Sequence, residues 1–292
     1  MQAAHEFIYD LAEKISMPAI YLEISRLMKK PNAEVGDFEK LVEADSMLTL
    51  RIIRIANSQF FGFKRKANNL YEAISLIGVI QVHDMLLSSL CLRAFYNIPE
   101  QVLNFNDFWR HGIQCGIAAR TLAKFCGLPA GNRFFTLGLL LEIGHALMYI
   151  KAPDLSSKTL LVSQQYNRPL VTVEREYFGF DYCQLGAVLM RHWHLPEIYS
   201  QIIEHHLCPE RTEPHYRMQT DLVNLAHRLL EEKGYLYNQL TQLLTYHQQL
   251  VPTPIPENIE QLVFNTIVEH GDEVLAMLTP YNCTQGEPSI PS

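Results

Sequence analysis

Residues 134–150 read FFTLGLLLEIGHALMYI, the most apolar stretch of the chain. Glu142 and His145 interrupt it with an acidic and a basic side chain. A helix needs about 20 consecutive apolar residues to cross a bilayer, and this run is shorter than that. The stretch therefore predicts a helix buried in the core of the protein and indicates no membrane-spanning segment.

The residues on both sides of this run also follow the spacing of amphipathic helices. In residues 20–28 and 48–55 the apolar side chains fall mainly on one helical face. Stretches that alternate apolar and polar residues between turn pairs, which would indicate strands, are not found. The chain is therefore predicted to be all-α.

A domain boundary is predicted at residues 96–100, which read YNIPE and follow a long apolar helix at about residues 79–95. A new helix is expected to begin near Asn106 and Asp107, because their side-chain oxygens can cap backbone amides. Residues 251–256, VPTPIP, cannot be helical throughout, because proline lacks the amide hydrogen. We expect an N-terminal helical lobe (1–100), a larger C-terminal lobe (101–250), and a last segment (251–292). The last segment would hold a stiff connector, a helix at about 257–278 and a disordered tail.

The composition is that of an ordinary globular protein with an excess of negative charge. The 292 residues carry a formal net charge of −7, which argues against a general nucleic-acid binder. Six cysteines are scattered without a CxxC pair, and residues 1–17 form an amphipathic pattern with acidic residues instead of a signal peptide. We expect a cytoplasmic protein with free thiols and no membrane partner.

Two compact basic runs stand out, Lys29-Lys30 and Lys64-Arg65-Lys66. We favour a solvated surface for both, and the alternative is a docking patch for an acidic partner. The second run follows residues 60–63, FFGF, which form either core or an exposed aromatic docking surface. Core is favoured, because aromatic side chains bury large apolar areas.

An ordered series of short motifs runs through the chain. It consists of MPA at 17–19, VEADSMLT at 42–49, RIANS at 54–58, AISLIG at 73–78, FWRH at 108–111, GLLLEIG at 138–144, HWHLP at 192–196 and IEHH at 203–206. This series, over about residues 15–230, resembles the HDOD family. The resemblance implies a multi-helix fold whose second lobe is similar to the HD-superfamily metal-dependent phosphohydrolases. It also implies a role in bacterial signal transduction that is usually regulatory and not catalytic.

The resemblance also implies where a metal site would lie. The catalytic relatives hold a divalent ion with a His, a His-Asp pair on the next helix and a later Asp, and the ion activates water. His111 matches the first His, the pair falls on Leu141 and Glu142, the later Asp falls on His227, and a further His is replaced by Tyr182. A leucine side chain has no lone pair. We therefore expect the hydrolytic chemistry to be lost, with no catalytic residue, bound metal or cofactor.

Two interpretations of the remaining groups stay open. His111, Glu142 and His227 either converge as a two-His, one-carboxylate metal set or persist as a hydrogen-bonded remnant in a partly buried cleft. The remnant is favoured, because a metal site needs several placed donors and supporting hydrogen bonds. His205 and His206 also fall at site positions, but successive helical residues point about 100° apart and cannot easily share one ion.

Three functions follow from these interpretations. The favoured one is a non-catalytic signalling module that binds a protein partner. The second is a sensor of a nucleotide or another small phosphate-containing ligand in the cleft around His111, Glu142 and His205, with Arg110 as a charge-assisted contact. The third is a metal-dependent phosphohydrolase with an altered ligand set.

Two polar pairs outside these positions are expected to be structural. His83-Asp84 is predicted to form an exposed polar patch on a helix. Asn57-Ser58 is predicted to form a turn, because both side chains compete for backbone hydrogen bonds at helix ends.

Overall fold

The computed structural model describes residues 2–9, 11, 15, 17–95, 104–128, 131–231 and 256–278. Within these ranges every regular element is an α-helix or a short 3-10 helix, and no strand occurs. The predicted all-α class is therefore confirmed. The backbone divides into two units, one of Met17–Tyr96 with Val268–Ser292 and one of Met1–Ser16 with Asn97–Ile267, here called the N-terminal and C-terminal units.

The helices follow one another along the chain, with two 3-10 helices, Pro209–Arg211 and Pro214–Tyr216, before the penultimate one. They are α1 (Gln2–Tyr9), α2 (Ala19–Met28), α3 (Val35–Glu43), α4 (Ser46–Asn57), α5 (Leu70–Ile77), α6 (Val79–Ala94), α7 (Phe105–Phe125), α8 (Gly131–Leu139), α9 (Ile143–Lys151), α10 (Pro153–Tyr166), α11 (Leu170–Phe178), α12 (Tyr182–His192), α13 (Glu197–His205), α14 (Arg217–Glu231) and α15 (Ile259–Leu278).

Side-chain caps define several helix starts. Asp45 accepts hydrogen bonds from the first backbone amides of α4, and Asn69 and Asp181 do the same for α5 and α12. The start of α7 differs from the prediction, which placed it near Asn106 and Asp107. Asn104 is the cap, since its side-chain oxygen accepts a hydrogen bond from the Asp107 amide at 3.0 Å.

The N-terminal unit is built around α6, which contacts α2, α4 and α5 and is buried from Val82 to Leu92. The prediction that His83-Asp84 forms an exposed patch is wrong, because both side chains lie in this buried stretch. The Ser25 hydroxyl lies 2.9 Å from His83 Nε2, and the Tyr21 ring packs on the imidazole. A helix packed on several sides has no polar face, so its polar residues need partners inside the core.

In the C-terminal unit, glycines allow the backbones of α7 and α8 to approach closely. A Cβ atom added to Gly112 would lie 2.7 Å from the Leu139 carbonyl oxygen, and one added to Gly138 would lie 2.6 Å from the Cys115 carbonyl oxygen. Larger residues would push the two helices apart. This close packing positions the second turn of α7, with His111, beside the end of α8.

The apolar run at 134–150 forms two helices instead of the single predicted one. Residues 140–142 make a turn in which the Leu141 amide donates to the Gly138 carbonyl, and Glu142 has the non-helical angles φ −101° and ψ 15°. The break changes the direction of successive side chains, so Leu141 lies in the core while Glu142 reaches toward α14.

Among the described residues, Gly131–Lys151 is long and apolar enough to cross a membrane, and α5 with α6 passes the same test only as a pair bent by 107°. In the Gly131–Lys151 segment 72% of the apolar window is buried inside the fold. The segment thus packs as the core element that its sequence predicts.

The first helix packs with the C-terminal unit, although the sequence placed it in the N-terminal lobe. Lys151 Nζ donates to the Phe7 carbonyl at 2.8 Å, and Trp193 Nε1 donates to the Ile15 carbonyl at 3.0 Å. The Phe7 ring packs edge-on against Phe180. The lobe boundary, most of the Pro-rich connector and the tail from residue 279 lie outside the described residues, so the predicted division 1–100, 101–250 and 251–292 stays a prediction.

Candidate functional site

Glu142 is the centre of the cluster formed by the residues at the predicted site positions. It occupies the N-cap position of α9, directly after the turn that follows α8. His227 Nε2 on α14 lies 3.1 Å from Glu142 Oε1, and His111 Nε2 on α7 lies 3.6 Å from the same oxygen. Three helices thus bring distant residues to one carboxylate.

This cluster is closed on the side of α14 and open on the side of α7. The His227 side chain is 2% exposed, whereas those of Glu142 and His111 are 23% and 36% exposed. The Cys115 thiol, one turn after His111, lies 3.8 Å from His111 Nε2. The five described cysteines form no disulfide with one another.

The environment of Glu142 favours its ionised form. Burial raises the pKa of the carboxyl, but hydrogen bonds from His111 and His227 and the charge of His145 outweigh burial. The net effect holds the pKa of Glu142 well below its ordinary value. The cleft therefore contains a negative charge at neutral pH, which the surrounding imidazoles stabilise.

The geometry of the cluster fits one divalent ion. One ligand atom from each of His111, Glu142 and His227 lies within 4.8 Å of the others. Imidazole and carboxylate ligands bind first-row ions at about 2.0–2.2 Å, which places neighbouring ligand atoms roughly 3–3.5 Å apart. A small movement of the imidazoles would meet this condition, and two imidazoles with one carboxylate suit several such ions. These three residues would hold the ion.

Leu141 and Tyr182 occupy the two positions where the resemblance expects further histidines. The Leu141 side chain is 1% exposed and packs in the core, where it offers no donor atom. Tyr182 is also buried; it is the first residue of α12, and its hydroxyl is hydrogen-bonded to His206. Neither residue supplies a ligand atom to the cluster around Glu142.

Tyr182 and His206 form a closed, neutral hydrogen-bonded pair. His206 Nδ1 donates to the Ile203 carbonyl at 2.9 Å, which leaves Nε2 as an acceptor for the Tyr182 hydroxyl at 2.9 Å. Burial lowers the pKa of His206 to about 3, so its imidazole stays uncharged. Asn224 Nδ2 donates to the His206 carbonyl and ties this pair to α14. Both ring nitrogens of His206 are thus occupied.

Replacing Tyr182 with phenylalanine is expected to lower the free energy of unfolding by about 1–3 kcal/mol, because the buried Nε2 of His206 loses its donor. Denaturant unfolding of the purified variant measures this loss. Tyr166→Phe is the control, since Tyr166 is 63% exposed and should tolerate the change. Equal stability of Tyr182→Phe and the parent would contradict the pairing.

The ion pair between His145 and Glu174 was not predicted from the sequence. His145 Nε2 donates to Glu174 Oε1 at 2.9 Å, and Glu174 Oε2 accepts from the Tyr182 amide at 3.0 Å. Burial lowers the pKa of His145, but the hydrogen bond and charge of Glu174 raise it above its ordinary value. The position of His145, one turn after Glu142, was a signal that it faces the same region, whereas nothing in the sequence marks Glu174.

Two further residues of the predicted set are His205 and Arg110. His205 is half-buried at the end of α13, next to the buried His206. Arg110 is exposed on α7. The proposed charge-assisted role of Arg110 toward a ligand therefore stays a prediction.

The cluster lies in a chain whose sequence matches a known family. A model of the HDOD domain family matches residues 15–209. An uncharacterised protein of Treponema pallidum (strain Nichols) is 24% identical over 201 residues, which make up 68% of this chain and 38% of that protein. The chain thus spans well under half the length of this curated relative.

Solved structures with similar folds cover most of the chain. An HDOD domain protein of unknown function from Geobacter sulfurreducens has a TM-score of 0.70 at 18% identity, covering 95% of this chain and 96% of that one. A phosphohydrolase candidate from Shewanella amazonensis SB2B has a TM-score of 0.71 at 19% identity, covering 94% and 98%. A signal-transduction candidate from Marinobacter aquaeolei VT8 has a TM-score of 0.68 at 21% identity, covering 93% and 60%. At these identities the similarity shows a common fold.

Proposed function

The chain belongs to the HDOD domain family, and on that premise we propose that it is a non-catalytic signalling module that acts by binding a protein partner. The resemblance to HDOD proteins supports a regulatory role, since that role is the usual one in the family. The proposal also depends on what the cluster around Glu142 can do chemically.

The observation that carries the proposal is that the carboxylate of the cleft is already engaged by the two imidazoles beside it. His227 Nε2 donates to Glu142 Oε1 at 3.1 Å, and His111 lies beside the same oxygen. Leu141 supplies no ligand at the position where the relatives have a histidine. A hydrolytic metal site needs deprotonated ligands together with an open position for water. Here the carboxylate accepts a hydrogen bond from one imidazole and lies within ion-pair distance of the other.

The charge of the cleft also disfavours a sensor of phosphate or nucleotide. The pKa of Glu142 is held well below its ordinary value, so a bound phosphate would face an ionised carboxylate. Like charges at short range repel strongly where water is partly excluded. The exposed Arg110 would have to overcome this repulsion. A protein partner contacts the outer surface and does not meet this obstacle.

The purified chain is expected not to hydrolyse a phosphodiester. Bis(p-nitrophenyl) phosphate would be supplied with Mg²⁺, Mn²⁺, Fe²⁺ or Zn²⁺. The rate at which the parent protein releases nitrophenol would be compared with the rate for the Glu142→Gln variant. Glu176→Gln, an exposed change on α11, controls for preparation effects. The proposal would be overturned if the parent and the Glu176→Gln variant both hydrolysed the substrate and the Glu142→Gln variant did not.

Partner binding is tested with defined components. Cross-linking in host cells would nominate partners, and each would then be purified and mixed with the whole chain in analytical ultracentrifugation. The proposal expects a stable complex with at least one signalling protein. If no nominated protein forms a complex when purified, a function based on partner binding fails.

A metal-dependent phosphohydrolase with an altered ligand set is the second candidate, and the convergence of His111, Glu142 and His227 favours it. A divalent ion held there would lower the pKa of a coordinated water and polarise a phosphate. Elemental analysis after purification without chelator tests this candidate. Stoichiometric Mn, Fe or Zn that Glu142→Gln removes would support it, and metal-free protein would count against it.

A further inference from the structure

The segment between α4 and α5 in the N-terminal unit presents the basic run Lys64-Arg65-Lys66. The preceding Phe60 and Phe61 are buried, so the interpretation of this aromatic motif as core is correct for both. Gly62, with φ +66°, then turns the chain outward. The three cationic side chains that follow are all exposed. The segment is thus anchored in the core immediately before its charged part.

Asn57 anchors the other end of the basic run. Its Nδ2 donates to the Ala67 carbonyl at 2.9 Å, and its Oδ1 accepts from the Ala67 amide at 2.8 Å. Ala67 itself is 4% exposed. A side-chain amide that satisfies both backbone groups of one residue fixes that residue much as a neighbouring strand would. Because Ala67 directly follows Lys66, the clamp holds the basic run in one conformation, which reduces the entropy lost on binding.

The described part of the chain places no counter-charge on this basic run. Among the described residues no acidic group forms an ion pair with Lys64, Arg65 or Lys66. The nearby acid, Glu72, accepts hydrogen bonds from the Asn68 amide at 2.8 Å and from the Asn68 side chain at 3.1 Å. Glu72 therefore serves the start of α5, and the run keeps its charge in a chain whose net charge is −7.

An aromatic surface adjoins the cations. Arg65, Lys66, Tyr71, Ser75 and Leu76 line a shallow pocket of about 490 Å³ together with Glu72. The Tyr71 side chain is 50% exposed, so its ring is accessible to a partner. Tyrosine and arginine are enriched among the residues that dominate protein–protein binding energies. The pocket thus joins the Tyr71 ring to the cations of Arg65 and Lys66.

We propose that the basic run 64–66 with Tyr71 is a docking surface for an acidic segment of a partner protein. The inference rests on the proposed function as a partner-binding module and names the surface and the chemistry of its partner. Carboxylates of the partner would pair with Lys64, Arg65 and Lys66, and an apolar side chain would pack on Tyr71 and Leu76.

The donors of this surface suit a flexible acidic segment better than a small phosphate ligand. A pocket for a small anion holds buried donors aimed at one point, whereas these cations stand on exposed, flexible side chains. Several weak charge pairs spread along a surface match an extended segment with several carboxylates. Such pairs also steer the approach of an acidic partner toward this basic loop on a protein with a net charge of −7.

The test uses a short fluorescent peptide of glutamates with one central phenylalanine, mixed with the whole chain in about 0.15 M salt, and anisotropy gives Kd. The double variant Arg65→Ala/Lys66→Ala should raise Kd about tenfold, since exposed charge pairs contribute weakly but additively. Tyr71→Ala should weaken binding several-fold. Asn57→Ala keeps every charge and should also weaken binding, because the run is no longer held.

The double variant Lys29→Ala/Lys30→Ala is the matched control. It removes the same charge from the other basic run of the same unit, and Debye screening over about 8 Å should limit its effect to less than twofold. Equal weakening by both doubles would overturn the proposal, since it would show unspecific attraction. The proposal would also fail if the parent bound no peptide, or if inorganic phosphate or an oligonucleotide bound this loop more tightly than the peptide does. It would fail as well if peptide binding were lost when the chain self-associates.

The two proposals fail separately. A partner complex that survives Arg65→Ala/Lys66→Ala unchanged overturns the docking surface and leaves the signalling function standing. Phosphodiester hydrolysis that depends on Glu142 overturns the proposed function, whatever the basic run binds.

Discussion

Replacing Gly144 with alanine is expected to lower the free energy of unfolding by about 3 kcal/mol, toward the upper end of what overpacking costs. A Cβ atom at Gly144 would lie 2.0 Å from the Tyr182 carbonyl oxygen and 2.9 Å from its Cα. Both atoms belong to the backbone, so α9 and α12 would have to separate. That movement would also disturb Glu142, two residues before Gly144, and the bond between Tyr182 and His206.

Thermal unfolding of the whole chain measures this effect, and the midpoint should fall by roughly 10 °C. Gly36→Ala and Gly271→Ala, both in the N-terminal unit, are controls for the same type of substitution. Both glycines lie within helices, and an added Cβ would meet no atom within 4 Å. Alanine at these sites should leave stability unchanged or raise it slightly, because it reduces the freedom of the unfolded chain. A Gly144→Ala variant as stable as the controls would contradict the close contact of α9 with α12.

Replacing Glu174 with glutamine is expected to destabilise the protein by about 3 kcal/mol at acidic pH, because breaking a buried ion pair leaves an uncompensated charge. The Glu174 side chain is 2% exposed and bonds both His145 and the Tyr182 amide. Glutamine keeps the size of the side chain but cannot stabilise a protonated imidazole. The half-buried His145 imidazolium then loses its counter-charge.

The pH dependence of this loss follows from the raised pKa of His145. The pKa lies above its ordinary value of 6.5 in the folded protein, so protonation of His145 stabilises the fold. This contribution is fully present below the unfolded pKa of 6.5 and is lost as pH rises through the folded pKa. The difference between the parent and Glu174→Gln should therefore be largest at acidic pH and shrink toward alkaline pH.

Urea unfolding at a series of pH values checks this dependence. Glu176→Gln is the matched control, because Glu176 lies on the same helix and pairs with Arg168 at the exposed surface. Water and salt screen such a pair, so its removal should have no measurable effect at any pH. A loss in Glu174→Gln that does not change with pH would show that His145 stays neutral in the fold.

Predictions from the sequence were most successful where a local pattern repeats over many residues. Helical spacing on both sides of the apolar run 134–150 predicted the all-α class, and the ordered motifs from residue 17 to 206 pointed to the HDOD family. Single positions were predicted less well. His83 and Asp84 look like surface residues in the sequence, but α6 is packed against several helices and buries them both.

The candidate site shows the same limit. The sequence left open whether His111, Glu142 and His227 converge, and the structure brings them together around one carboxylate. It could not reveal Glu174, which comes to His145 only because α11 packs near α9. Nor could it show that Asn57 clamps Ala67, ten positions further along the chain.

The sequence alone determined the helical class, the lack of a donor atom in the Leu141 side chain and the basic run at 64–66, because each depends on the chemistry of residues close together in the chain. Only the tertiary structure showed that the apolar run breaks at Glu142 and that α1 packs with the C-terminal unit. It also showed which buried polar groups are hydrogen-bonded to one another. The physical reason is that burial and hydrogen bonding depend on distances between helices. Those distances are set by packing, as at Gly112, Gly138 and Gly144, where backbones meet without an intervening side chain.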